Sequence, residues 1–321
     1  MVTISVISSD GVIWNLKQVI MQLCSSMAKN ETITVYLNNE GPDTESLDLN
    51  QIIIDSARQF NYSLDQLTVL TSNPIHNNTL PFNIKCVAYP HFINNTKEKT
   101  SWVDKHITKT FGCFIGRSNL HRLYLSSYLW NHYQDKTTQT FHYDRTNDFH
   151  QANLGLTELV NYYGYNELAN ISKFLSQTPL LGEDQVNYPI LMPEHCNLLN
   201  AYRNFFVEVV CETYYSGNTF FPTEKVWRPI ATGTPFIIQG PAKFIDRLHQ
   251  LGFKTFNSYW NESYTQDPAD YQPYEIIKTI DRLGSLSLTE LQEMYQSMLP
   301  ILKHNFDRFQ ELTIQEVSSV Q

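Results

Sequence analysis

The stretch from Phe205 to Pro241, FFVEVVCETYYSGNTFFPTEKVWRPIATGTPFIIQGP, constrains the fold most, because it compresses strand, acidic loop, helix start, glycine stop and second strand into one segment. Phe206 to Val210 is a short apolar run suited to a buried strand, and Glu212 stands just past its end. A polar loop with Ser216, Gly217 and Asn218 follows. Thr223 is placed to cap a helix whose first turn holds Glu224 and Lys225, and Gly233 ends that helix before the apolar run from Pro235 to Ile238. A unit of this kind directs unpaired backbone N–H groups and a cation to one mouth, where an anion can sit.

The rest of the chain repeats the alternation. Val2 to Ser8 reads as a strand, Trp14 to Met27 as a helix and Thr32 to Leu37 as a second strand that ends in the polar tip Asn38 to Asp43. A helix near Leu49 to Gln59 and a strand at Leu67 to Thr71 come next. Ser72 to Thr96 reads as irregular, with a strand end near Val87 to His91, and the polar segment Asn94 to Ser101 reads as a domain end. Thr110 to Ile115 is an apolar strand that runs through Gly116-Arg117-Ser118-Asn119 into a helix from Leu120. Arg117 and Arg122 are therefore candidates for an anion at that helix start. Thr138 to Tyr143, Phe253 to Phe256 and the helices at Asn197, Lys243 and Tyr271 continue the series. Ser287-Leu288-Thr289-Glu290 is a capping-box pattern for a long terminal helix, expected to break near Pro300. Alternating β and α without a repeat predicts doubly wound α/β layers. The chain divides into an N-terminal unit over 1–105, a second unit over 106–285 and a terminal helical segment over 286–321.

Composition narrows the function. With 321 residues and 42% hydrophobic side chains, the chain can fill two cores. A net charge of −9, from 23 basic against 32 acidic residues, disfavours a nucleic-acid surface. Its five cysteines contain no C-x-x-C and read as buried free thiols. No leader pattern and no transmembrane run is present, which leads to the expectation of a soluble cytoplasmic protein.

The central stretch resembles the donor-binding region of the α-1,3-fucosyltransferase family: an apolar strand, a Glu, a loop, T-E-K, a helix and a glycine-ended turn. Here those positions are Glu212, Thr223-Glu224-Lys225, Gly233-Thr234-Pro235 and Gly240. Weaker likenesses lie at Phe114 to Arg122, where Arg122 takes the place of the phosphate-holding arginine, and at Val35 to Glu40, where Glu40 takes the place of the catalytic glutamate. Thr213 stands where the family has Asn, Phe221 replaces a Tyr, and the loop between Glu212 and Thr223 is longer. The resemblance implies a GT-B fold, two Rossmann-like domains facing a cleft with a C-terminal helix crossing back.

It also implies an inverting, metal-independent glycosyltransferase, a hexosyl- or fucosyltransferase-like enzyme with no cofactor beyond its donor. The donor would be a nucleoside-diphosphate sugar, with a GDP-sugar and fucose favoured, and the acceptor a hydroxyl of a glycan or other molecule. In that scheme Glu40 is the general base, worth about 10²–10⁴-fold. Arg122 and Lys225 balance the diphosphate, and Glu224 accepts from sugar hydroxyls. Arg117, Glu212, Thr213, Phe221 and Thr223 complete the donor site. Three readings stand beside it: a metal-dependent transferase using Asp43-Thr44-Glu45, disfavoured because Asp43 follows Pro42 in a turn; an inactive carbohydrate-binding scaffold; and a transferase acting on DNA bases.

Overall fold

The chain is described here from a computed structural model, over residues 1–9, 12–37, 41–75, 80–87, 91–116, 119–141, 161, 164–180, 199–215, 217–266 and 272–320. It contains two four-stranded parallel sheets with helices between the strands, a mixed α/β architecture compatible with a Rossmann-like two-domain fold.

The first sheet has the order β1 (Val2–Val6), β4 (Ile33–Leu37), β5 (Leu67–Thr71), β6 (Asn83–Cys86). Between β1 and β4 come a two-stranded ribbon of β2 (Ser8–Ser9) and β3 (Val12–Ile13), then helix α1 (Leu16–Ala28). Helix α2 (Leu49–Phe60) joins β4 to β5. The strands alternate buried and half-buried residues: Ile33, Val35 and Leu37 of β4 and Leu67 and Val69 of β5 enter the core with Val19, Leu23 and Ile53 of the helices. Apolar residues at every second position give the period of a strand, which is why this half was legible in sequence. The irregular reading of 72–96 is corrected. It contains β6, and His91 starts helix α3 (His91–Lys99) instead of ending a strand. Only four residues of β6 pair, with burial alternating between exposed and half-buried, so no apolar run advertises it.

The second sheet has the order β10 (Phe236–Gln239), β9 (Phe205–Cys211), β7 (Lys109–Ile115), β8 (Thr137–Phe141). Helix α4 (Leu120–Tyr133) leads from β7 to β8, α5 (Tyr165–Leu175) and the short α6 (Leu199–Tyr202) precede β9, and α7 (Glu224–Ala231) leads from β9 to β10. All seven residues of β9 are buried, as a central parallel strand covered on both faces requires. Helices α8 (Phe244–Gln250) and α9 (Gln272–Gly284) follow. Helix α3 packs against α7, and Ile93 belongs to this second core. Cys113 and Cys211 are buried free thiols, while Cys24 and Cys86 are half-buried ones.

Two further expectations change. Phe253 to Phe256 forms no strand; the side chain of Asn305 takes a strand's place, accepting from the Lys254 N–H at 2.8 Å and donating to the Lys254 carbonyl at 2.7 Å. Helix α10 (Leu288–Glu311) runs through Pro300 without a break. Its capping box at Ser287 and Glu290 fixes the start, and Met298 and Leu302, both buried, hold the turns on either side of the exposed proline. The chain then enters α11 (Ile314–Ser318), whose Ile314 and Val317 line a crevice with Ser72, just past β5, and Phe221 and Pro222, just before α7.

The loop 217–220 is one place where the two halves meet. Asn73, two residues past β5 and 1% exposed, accepts from the Phe220 N–H at 3.1 Å and donates to the Asn218 carbonyl at 3.1 Å. The Asn218 N–H donates to Asp43 Oδ2 at 2.9 Å, and buried Arg247 grips the other side through Asn218 Oδ1 at 2.7 Å and the Thr219 carbonyl at 3.1 Å. Gly41, at φ +57°, is required beneath this joint, because a Cβ there would lie 2.7 Å from the Asn73 nitrogen. Asn73→Ala should strand the buried Phe220 N–H and cost about 2–4 kcal/mol by urea denaturation. A loss below about 0.5 kcal/mol would show that the joint contributes little.

Candidate functional site

In the second sheet, β7 sends its chain through α4 to β8 on one side, while β9 sends its chain through α7 to β10 on the other. The winding direction reverses between β7 and β9. At such a reversal the two following helices diverge and leave a crevice beyond the carboxyl ends of the strands, the usual ligand position in parallel sheets. Here the helix starts at that crevice are those of α4 and α7. Asn119 caps α4, its side chain accepting from the Arg122 N–H at 3.1 Å, and Thr223 caps α7, accepting from the Lys225 N–H at 3.4 Å.

Glu212 joins the two. It is 1% exposed, and its carboxylate accepts the Thr223 hydroxyl at 2.7 Å and the Thr223 and Thr213 N–H groups at 3.3 Å each. Its carbonyl accepts from Arg122 Nη2 at 2.7 Å, across the reversal point. Burial raises the Glu212 pKa, opposed by the Lys225 charge and the bonds from Thr223. The cap hydroxyl, having donated to Glu212, accepts from Lys225 Nζ at 3.0 Å; Thr213 Oγ1 is 3.3 Å from the same ammonium, and Glu224 Oε1 is 3.4 Å away. Lys225 is thereby held at the helix mouth with its side chain partly accessible. Burial, the largest influence on Glu224, pushes its pKa up, but Lys225 and Arg228 together outweigh it and hold the carboxyl below its ordinary range.

Of the residues singled out in sequence, the fold brings Arg122, Glu212, Thr213, Thr223, Glu224 and Lys225 to one place. Phe221 lies on the next turn of chain, buried and edge-on to Phe92 of α3 at 5.7 Å. Glu40 and Arg117 lie outside the described residues. Asp43, the head of the carboxylate pair considered for a metal, has both oxygens engaged, by the Glu45 N–H at 3.0 Å and the Asn218 N–H at 2.9 Å. Comparisons with protein-family models, curated proteins and solved structures find no significant match for this chain.

Sequence reading missed two members of the site. His121, in the first turn of α4, is fully buried, with its ring centroid 3.9 Å from that of Tyr215 and the two rings tilted by 32°. Burial, then the Arg122 charge, keep its pKa well below the ordinary histidine value against the pull of the Glu212 backbone. Glu208 sits in the middle of β9, where an apolar run hides it, and accepts the Tyr202 hydroxyl at 2.6 Å. Lys105 Nζ donates to the Tyr202 and Phe205 carbonyls at 2.5 and 3.1 Å and lies over the Phe205 ring. Burial lifts Glu208 to about 7, opposed by Arg228, Tyr202 and Lys105. Desolvation drops Lys105 to about 7, opposed by Glu208. Since Arg228 acts on both Glu208 and Glu224, the charge beneath β9 is coupled to the first turn of α7.

Two outcomes follow from this geometry. Thr223→Val removes the cap and one donor to buried Glu212, and should cost about 2–3 kcal/mol in denaturant midpoint analysis, whereas Thr223→Ser should stay within about 1 kcal/mol. For Glu208, the folded chain keeps its proton to higher pH than the unfolded chain. The stability this contributes is fully present below the ordinary value of 4.5 and is lost as pH rises to about 7. Wild-type stability should therefore fall relative to Glu208→Gln between about pH 5 and about pH 7; superimposable pH profiles would contradict the assignment.

Proposed function

We propose that the chain is an inverting, metal-independent glycosyltransferase that moves a sugar from a nucleoside-diphosphate donor to an acceptor hydroxyl. The observation that carries this reading is the convergence of two capped helix starts and the Lys225 ammonium at the winding reversal of a parallel sheet. A diphosphate is the ligand chemistry that such a mouth favours, since helix N-termini and a fixed cation both act on its negative charge. The resemblance of Glu212 to Gly240 to the fucosyltransferase donor region supports a GDP-sugar, and the two-sheet architecture is compatible with a GT-B enzyme.

In the reaction, the acceptor oxygen bonds to the anomeric carbon as the bond from that carbon to the diphosphate oxygen breaks. The acceptor proton passes to a base, for which Glu40, three residues past β4, is the candidate from sequence. The nucleoside diphosphate leaves with the bonding pair, and the developing charge is what Lys225 stabilises. Attack opposite the leaving group inverts the anomeric centre. Glu212 does no chemistry in this scheme; buried and accepting three hydrogen bonds, it keeps Thr223 and hence Lys225 in position. Thr213 stands beside the ammonium where the fucosyltransferases carry Asn, and its hydroxyl belongs to the donor-facing rim.

Purified chain incubated with GDP-, UDP-, ADP- and CMP-sugars should release nucleotide from at least one, and Lys225→Ala should lower kcat/KM by about 10²–10³-fold. Release from none of them, or an unchanged Lys225→Ala, would remove the transferase reading.

A further inference from the structure

We propose that Gln239, the last residue of β10, reads the nucleobase of the ligand, its carboxamide pairing with a donor–acceptor edge of the base. The inference rests on a nucleoside diphosphate occupying the starts of α4 and α7, and not on what is then transferred. Gln239 is 0% exposed, and neither its side-chain oxygen nor its side-chain nitrogen has a hydrogen-bond partner among the described residues. The three residues before it, Phe236, Ile237 and Ile238, are buried and apolar. A carboxamide left unpaired in such a place opposes folding, and leucine or methionine would fill a similar volume without that cost. Stability gives no reason for a glutamine here; a ligand does.

Hydrogen bonds tie this residue to the mouth. The Gln239 carbonyl accepts from the Glu212 N–H at 2.9 Å, and the Glu212 carboxylate holds Thr223, whose hydroxyl is 3.0 Å from Lys225 Nζ. Glu212 therefore borders both the candidate diphosphate contact and Gln239. The Gln239 side chain lies on the α4 face of the sheet. Gln239 pairs with Cys211, which shares a face with Val207; Val207 pairs with Phe111, and Cys113, on the same face as Phe111, has its Sγ 3.8 Å from Ser126 Oγ of α4. A second uncharged side chain on that side is in the same condition. His121 is fully buried with both ring nitrogens unpaired, while Arg122, next in the chain, binds the Glu212 carbonyl. The crevice is thus divided, with the Lys225 cation on the α7 side and buried, uncharged donors and acceptors on the α4 side.

The chemistry selects the base over the rest of the nucleotide. A carboxamide presents an N–H donor and a C=O acceptor side by side in one plane. A nucleobase edge presents the complementary pair in one plane, as in the bidentate pairing of glutamine with adenine. Phosphate oxygens only accept, and Lys225 and the helix starts match them instead. Burial makes the contact selective, because a base with the wrong edge leaves the amide unpaired and away from water.

The test titrates GDP, UDP, ADP and CDP, with inorganic pyrophosphate in parallel, by calorimetry into the full chain as wild type, Gln239→Leu and Gln239→Met. One nucleotide is expected to bind wild type more tightly than the other three do and than pyrophosphate does. Both substitutions should weaken that nucleotide at least about tenfold, shrink its margin over the other bases and leave pyrophosphate within about twofold of wild type. Because the lost amide has no partner in the fold, both variants should melt at or above the wild-type temperature. A glutamine needed for the fold alone would instead lower the melting temperature and weaken nucleotide and pyrophosphate together, which would overturn the proposal. It is also overturned if both variants bind the preferred nucleotide as wild type does, or if wild type binds all four nucleotides alike; in those two cases the diphosphate site and the transferase reading survive. Selectivity that depends on Gln239, without release of nucleotide from the corresponding sugar, would keep the base contact and remove the transferase reading. If none of the four nucleotides binds wild type, both fall.

Discussion

A buried carboxylate at the end of a central strand is the constraint on which this site depends. Glu212 is desolvated, and an unpaired charge in that position would be costly, so its oxygens must find donors. They find them in Thr223 and Thr213. The hydroxyl that satisfies Glu212 is the same one that caps α7 and accepts from the Lys225 ammonium. One short hydrogen bond therefore fixes where the helix begins, which way its first N–H groups point and where the cation rests. On the other side, the Glu212 carbonyl binds Arg122 and ties α4 to the same point. Removing the carboxylate would loosen the start of α7, whereas the backbone carbonyl would still hold Arg122.

The loop between Glu212 and Thr223 serves a second purpose. Its residues 218 to 220 are held by Asp43 and Asn73 of the first half and by Arg247 of the second. The same segment thus leaves the site's central acid, crosses to the other half and returns to the helix cap. The mouth and this contact between the halves consequently share one loop. This gives the longer loop, read in sequence only as a departure from a family pattern, a physical role.

Much of the architecture was legible because parallel strands buried on both faces write continuous apolar runs, and amphipathic helices write a different period. The central site was legible for a related reason: Glu212, Thr223, Glu224 and Lys225 lie within one short segment, so their meeting needs only local structure. What escaped was non-local. Asn73 and Asn218 are 145 positions apart, and in an asparagine-rich chain neither stands out. Asn305 substitutes for a strand partner of Lys254 from 51 positions away, so Phe253 to Phe256 looks like a strand but has no neighbour to pair with. Glu208 was hidden by its apolar neighbours, since its partners Tyr202 and Lys105 become visible only when α6 and the 100–108 segment fold over β9. Pro300 misled because a single missing N–H costs less than the packing of the turns around it returns.

The central claim, that a nucleoside diphosphate binds at the starts of α4 and α7, is tested most directly by hydrogen–deuterium exchange with and without saturating GDP. Amides in the segments 119–123 and 212–226 should slow in wild type and not in Lys225→Ala. Protection confined to other segments, or no protection in wild type at saturating GDP, would contradict it.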